Sequence, residues 1–229
     1  MSKLNWVLST LLVTGIVVSG LPIQSSLTAT AQTNRFRAWQ KIFQDFFQRQ
    51  EDNPPPGTPG QGIARGDLCM IAPLSANTNT EVWSDRPLFI WQGNVGKIGV
   101  RLSGSEDILW SQAVASADNP VAYTGEPLQP GQIYQWLIFD QESDSIPKLF
   151  VPFKVMDDEE RDRIRVRLII LEQELKEQGA TPEETALARA NYFAQKGLWS
   201  DVFQEVYSLE NPPEAVEEVI QRIPDQLCM

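Results

Sequence analysis

Leu128-Gln129-Pro130-Gly131-Gln132-Ile133-Tyr134-Gln135-Trp136 decides the fold, because a proline–glycine turn runs straight into a strand of branched and aromatic residues. Working outward, the same pattern recurs on both sides. Short apolar runs at Leu68–Ala72, Leu88–Gln92, Ile98–Leu102, Ile108–Ala113, Val121–Tyr123, Ile133–Phe139 and Leu149–Val155 alternate with turn signals at Gly93-Asn94, Ser103-Gly104-Ser105, Asp118-Asn119-Pro120 and Pro130-Gly131. Some seven strands with no helical period between them predict an antiparallel sandwich over residues 63–155.

Pro87-Leu88-Phe89-Ile90-Trp91 resembles the second strand of immunoglobulin- and fibronectin-type modules, and Leu128–Trp136 resembles their turn-then-tyrosine strand. The resemblance implies that the Tyr134 hydroxyl ties down a corner while the neighbouring aromatics fill the core.

After Asp157 the period becomes helical. Ile164, Leu168, Leu171 and Leu175 form a stripe that Gly179 is placed to end. Thr181-Pro182-Glu183-Glu184 has the form of a capping box with proline at the first helical position, and Gly197 is placed to close the helix it opens. Further helices are expected from Ser200 to Leu209 and from Pro212 to Ile223, the last capped by Asn211 and stopped by Pro224. Ala186, Ala190-Asn191-Tyr192 and Gly197-Leu198-Trp199, followed by Val202 and Val206, resemble one tetratricopeptide-style hairpin. The fold class is thus α+β in two modules: an antiparallel Ig/fibronectin-like β-sandwich followed by a small all-α helical-hairpin module over residues 156–229.

Upstream, Lys3, the apolar run Trp6 to Val18 and Ala29-Thr30-Ala31 have the layout of a signal peptide. Cleavage after Ala31 would send the chain to the periplasm or the medium, with residues 1–31 removed. Residues 32–50 form an amphipathic helix in which Phe36, Trp39, Ile42, Phe43, Phe46 and Phe47 share one face. That stripe either docks on the protein's own core or lies on an anionic membrane, its candidate membrane-facing residues being Phe36, Trp39, Phe43, Phe46 and Phe47. Residues 51–62 hold Pro54-Pro55-Pro56-Gly57-Thr58-Pro59-Gly60 and read as a linker.

The charge is uneven. The whole chain of 229 residues carries a net −11, but residues 32–62 sum to +1, residues 63–155 to −4 and residues 156–229 to −9. An acidic helical end beside a slightly basic start suggests separate modules, and the overall sign opposes nucleic acid as a partner. The sequence contains no histidine, which removes every reaction that needs an imidazole base. Cys69 and Cys228 are the only cysteines, and export makes one disulfide between them the simplest reading.

Arg65-Gly66-Asp67-Leu68-Cys69, Pro87–Trp91, Leu128–Trp136 and Gly197-Leu198-Trp199-Ser200-Asp201, in that order, resemble a family of exported cyanobacterial proteins of unknown function. The likeness spans about residues 62–210 and implies an extracytoplasmic sandwich followed by a tetratricopeptide-like helical segment, with no catalytic residue to carry over.

Neither a glycine-rich phosphate loop nor a convincing Ser-x-x-Lys nucleophile is present. Asp140, Glu142 and Asp144 have the spacing of the first ligands of a calcium loop, but Ser145 and Val151 replace the glycine and the acid that loop requires, so a solvated turn is expected. Asp157-Asp158-Glu159-Glu160 suits the positive end of a helix dipole. These patterns predict a non-enzymatic interaction protein of the periplasm or cell envelope that binds another protein and needs no cofactor and no metal. The alternatives are a carbohydrate-binding module, with Trp83, Trp91 and Trp110 as candidate stacking residues, and, less favoured, a carboxylate-based hydrolase.

Overall fold

The computed structural model describes residues 37–44, 63–65, 68–73, 80–115, 119–141, 146–212 and 214–228. It is a mixed α+β protein with two sheets and C-terminal helices packed together. Among the described residues, a first helix α1 (37–44) precedes nine strands: β1 (Ile63–Arg65), β2 (Leu68–Ala72), β3 (Glu81–Val82), β4 (Leu88–Gln92), β5 (Lys97–Leu102), β6 (Ile108–Ala113), β7 (Val121–Ala122), β8 (Ile133–Phe139) and β9 (Leu149–Val155). Helices α2 (Asp158–Glu177), α3 (Pro182–Lys196), α4 (Trp199–Tyr207) and α5 (Glu214–Leu227) follow.

The first sheet has the order β1-β2-β4-β7 and the second the order β3-β9-β8-β5-β6. All pairings are antiparallel except β3 with β9, which run parallel through Glu81 opposite Lys154 and Val82 opposite Val155. The two sheets share a core in which Phe89 of β4 lies 4.9 Å from Trp136 of β8 and 6.4 Å from Phe153 of β9. Alternation explains who faces in: Phe89 and Trp91 point to this core, as do Tyr134, Trp136 and Ile138. The hydrogen bond expected of Tyr134 is present, its hydroxyl accepting from the backbone N–H of Gln129 at 2.8 Å.

The first sheet is buried on its other face as well. Cys69, Ile71 and Ala72 of β2 and Ile90 of β4 join a second core with Trp39, Ile42 and Phe43 of α1 and the apolar faces of α2 to α5. The two cores meet at the first sheet, whose strands β2 and β4 contribute side chains to both. The helices form a layer laid over the first sheet, so the molecule has three layers: helices, sheet, sheet.

Local signals set the helix ends. Thr181 Oγ1 accepts from the Glu184 N–H at 3.2 Å while Glu184 Oε2 accepts from the Thr181 N–H at 2.8 Å, completing the capping box. Gly197 closes α3 with a φ of 75°, a left-handed conformation that glycine adopts without a Cβ penalty. Pro224 does not stop the last helix, which runs on to Leu227. A proline removes the bond its own N–H would make to the preceding turn, while the N–H groups of the residues after it can still bond back. Burial of Ile223 and Leu227, together with the Cys228 N–H bond to the Pro224 carbonyl at 2.9 Å, holds the extra turn.

Candidate functional site

The helical layer carries a concave surface. The α3–α4 hairpin presents Ala190, Phe193, Leu198, Val202 and Phe203 inward, and α5 adds Val216, Val219 and Ile223. In the trough so formed lies α1. Phe43 stacks on Phe203 with ring centroids 6.2 Å apart, and Trp39 and Ile42 are buried beside them. Trp39 and Phe43 are therefore not membrane-facing: the helix satisfies its apolar stripe on the protein's own core, where those two rings are excluded from water. Phe36, Phe46 and Phe47 lie outside the described residues.

The trough is not filled. A groove of about 530 Å³ opens between α1 and α3, bordered by Ala38, Lys41 and Ile42 on one side and by Leu187, Ala188, Asn191 and Trp199 on the other. On the opposite flank a smaller gap of about 70 Å³ separates Gln40, Phe43 and Gln44 from Val219 and Arg222 of α5. The wall is mixed: Leu187, Ala188 and Trp199 give apolar contact, while Asn191 and Gln195 can exchange hydrogen bonds with a ligand backbone.

A buried polar knot fixes the helical layer to the sheets. Asp201, in the first turn of α4, is 3% exposed, and its two carboxylate oxygens accept from the backbone N–H groups of Trp83 and Ser84, both at 2.9 Å. Arg161 of α2 donates through Nε to the Trp83 carbonyl at 2.9 Å and pairs with Asp85 at 2.9 Å. Trp83 returns its indole N–H to the Arg161 carbonyl at 3.2 Å and packs its ring on Phe193, 5.5 Å away. The short segment after β3 is thus gripped by α2 and α4 together. Nearby, Arg189 of α3 bridges Glu172 of α2 and Glu205 of α4, at 2.7 Å to the latter.

Burial pushes the Asp201 carboxyl up to about 7 from its ordinary 3.8, an effect that the Trp83 and Ser84 N–H bonds and Arg161 oppose and Glu205 adds to. The folded state therefore holds this proton more tightly than the unfolded chain does. The resulting stabilisation is fully present below about pH 4 and is lost as pH rises through about 7. Denaturant titrations at pH 5 and pH 8 should show wild type losing more stability than Asp201→Asn over that interval, because the amide does not titrate there.

The three candidate stacking residues do not form a platform. Trp91 is buried at 2% exposure between the sheets, 6.5 Å from Trp136, and is unavailable to a sugar. Trp83 is half-buried in the knot, and Trp110 packs 5.1 Å from Tyr123 and 6.0 Å from Phe89 at the edge of the sheet core. The three belong to three different places. As for the acidic runs, Asp140 pairs with Lys148 at 2.8 Å, whereas Glu142 and Asp144 lie outside the described residues. Asp157 pairs with Lys154 at 2.6 Å, and Glu159 and Glu160 pair with Arg163 in the first turns of α2. Among the described residues no group of three or more histidine, cysteine, aspartate or glutamate side chains could hold a metal ion.

Cys69 and Cys228 form the disulfide, joining β2 to the end of α5 across 159 residues of sequence. The groove and the knot were not read from sequence, although each left a trace. Arg161 stands three residues before Ile164 on the buried stripe of α2, and Asp201 precedes Val202 and Phe203 at the start of an otherwise apolar inner face. Charges at core positions are the signal of a buried network. No protein-family model, curated protein or solved structure matches the chain.

Proposed function

We propose that the chain is an exported, non-enzymatic binding protein of the periplasm or cell envelope that holds another polypeptide on its helical layer. The observation that carries this reading is the groove of about 530 Å³ between α1 and α3, where apolar side chains alternate with hydrogen-bonding ones on a rigid hairpin. Helix-in-groove recognition needs that combination of a packed scaffold and an unfilled trough.

We further read the two sheets as an immunoglobulin- or fibronectin-like sandwich. Lettered in the usual way, β2-β4-β7 would be strands A, B and E, and β3-β9-β8-β5-β6 would be A′, G, F, C and C′. The Tyr134 hydrogen bond and the burial of Trp91 and Trp136 support that assignment. The resemblance to exported cyanobacterial proteins, the leader-like residues 1–31 and the disulfide support an oxidising compartment. No described helix is long and apolar enough to cross a membrane.

The test compares proteins retained from envelope extract by the immobilised wild type and by Leu187→Arg/Ala188→Arg, which places two charges in the groove. A retained band that disappears in the double variant, with thermal unfolding unchanged, is expected. Identical retention by both proteins, or none by either, would overturn the proposal.

A further inference from the structure

Resting on the reading of the trough as a polypeptide site, we propose that α1 is the chain's own displaceable occupant of that site. The external partner is then a basic amphipathic helix with a wider apolar face than α1 presents.

Three independent observations point to this. The first is fit. Helix α1 borders the large groove against α3 with Ala38, Lys41 and the edge of Ile42, and it leaves a second gap beside α5. Trp39 is buried with its indole N–H lacking an acceptor among the described residues. Unfilled space and an orphaned donor both weaken a contact relative to a ligand that removes them. A helix with a branched or aromatic side chain at the place of Ala38 would fill the groove that α1 leaves open.

The second is charge. Residues 35–50 carry Arg35, Arg37, Lys41 and Arg49 against Asp45 alone, while residues 156–229, which build the trough, sum to −9. The resident helix is thus basic and its seat is carried on an acidic layer, so a competing helix of the same sign is drawn to the same place. The third is tethering. Residues 45–62 join α1 covalently to β1, so the helix and its seat belong to one chain. A tethered ligand competes at a high effective concentration, which keeps the site closed to weak partners and open to stronger ones.

The probe is a fluorescein-labelled peptide of residues 35–50, titrated into the full mature chain and into the full mature chain carrying Trp39→Ala and Phe43→Ala. Weakening the tethered helix should tighten peptide binding about tenfold or more, and an Ala38→Leu peptide should bind more tightly still. Equal affinity for both proteins overturns the proposal. Should the double variant not fold, hydrogen exchange on the wild type decides. The α1 amides should exchange about a hundredfold or more faster than those of α4, through an opening that leaves α4 protected. Exchange of both helices through one global opening overturns the proposal.

The two readings fail separately. Loss of envelope binding in Leu187→Arg/Ala188→Arg with α1 exchanging only globally leaves the groove as the binding site and removes the displaceable occupant. Peptide binding and local α1 opening, with envelope binding unaffected by the groove charges, does the reverse.

Discussion

Replacing Asp201 by alanine should lower the stability of the fold by about 3–5 kcal/mol, the range found when one partner of a buried charged network is removed. The carboxylate accepts from the Trp83 and Ser84 N–H groups, and each buried donor left without a partner costs about 1–3 kcal/mol. Above about pH 7, where the carboxyl is ionised, Arg161, itself 5% exposed, also loses a nearby opposite charge. The effect should reach beyond the site. The segment gripped by Asp201 follows β3, the strand that pairs in parallel with β9, so loosening it frees the edge of the second sheet. Guanidinium unfolding monitored by tryptophan fluorescence checks the size of the loss, and Trp83 reports directly because its ring sits on Phe193. A change under about 1 kcal/mol would mean that the two N–H groups find other acceptors.

Reduction of the Cys69–Cys228 bond should cost about 4–5 kcal/mol, since a closure of 159 residues removes a large share of the unfolded chain's freedom. For a chain of this size that corresponds to a fall in melting temperature of about 10–20 °C. The bond also has a local consequence. Helix α5 reaches the core through Val216, Val219, Ile223 and Leu227, and its end is anchored to β2 by the disulfide alone among covalent links. Loss of α5 protection before that of β2 is therefore expected in reduced protein. Calorimetry with and without reductant, backed by mass determination of the non-reduced chain, measures the effect.

The sheets were largely legible in the sequence because strand signals are local. Leu68–Ala72, Leu88–Gln92, Ile108–Ala113, Ile133–Phe139 and Leu149–Val155 match the observed strands at both ends. The strands that escaped, Ile63–Arg65 and Glu81–Val82, are two or three residues long and exist only through their partners. What the sequence concealed was the arrangement of layers. Leu68-Cys69-Met70-Ile71-Ala72 is buried at every position, and such a run without alternation is the mark of a strand covered on both faces. Its meaning depends on which element supplies the cover, and that is a long-range fact. The same holds for the knot. Trp83 and Asp201 stand 118 positions apart, and nothing in either neighbourhood names the other.

The groove was less legible still, because it is a space rather than a pattern. The aromatic stripe of residues 35–50 shows that a helix has a face to bury, without showing where. Packing answers that question: the stripe is satisfied on Phe203 and its neighbours, and the charge on the other face remains in water at Arg37 and Lys41.

The central claim, that a polypeptide is held in the trough between α1 and α3, is tested most directly by a photo-crosslinking side chain. It is placed at Ala188 in the groove and, as a control, at Glu106 in the loop between β5 and β6. Irradiation in intact envelopes should give a discrete higher-mass adduct from position 188 and none from position 106. No adduct at position 188, or the same adducts from both positions, would contradict the account.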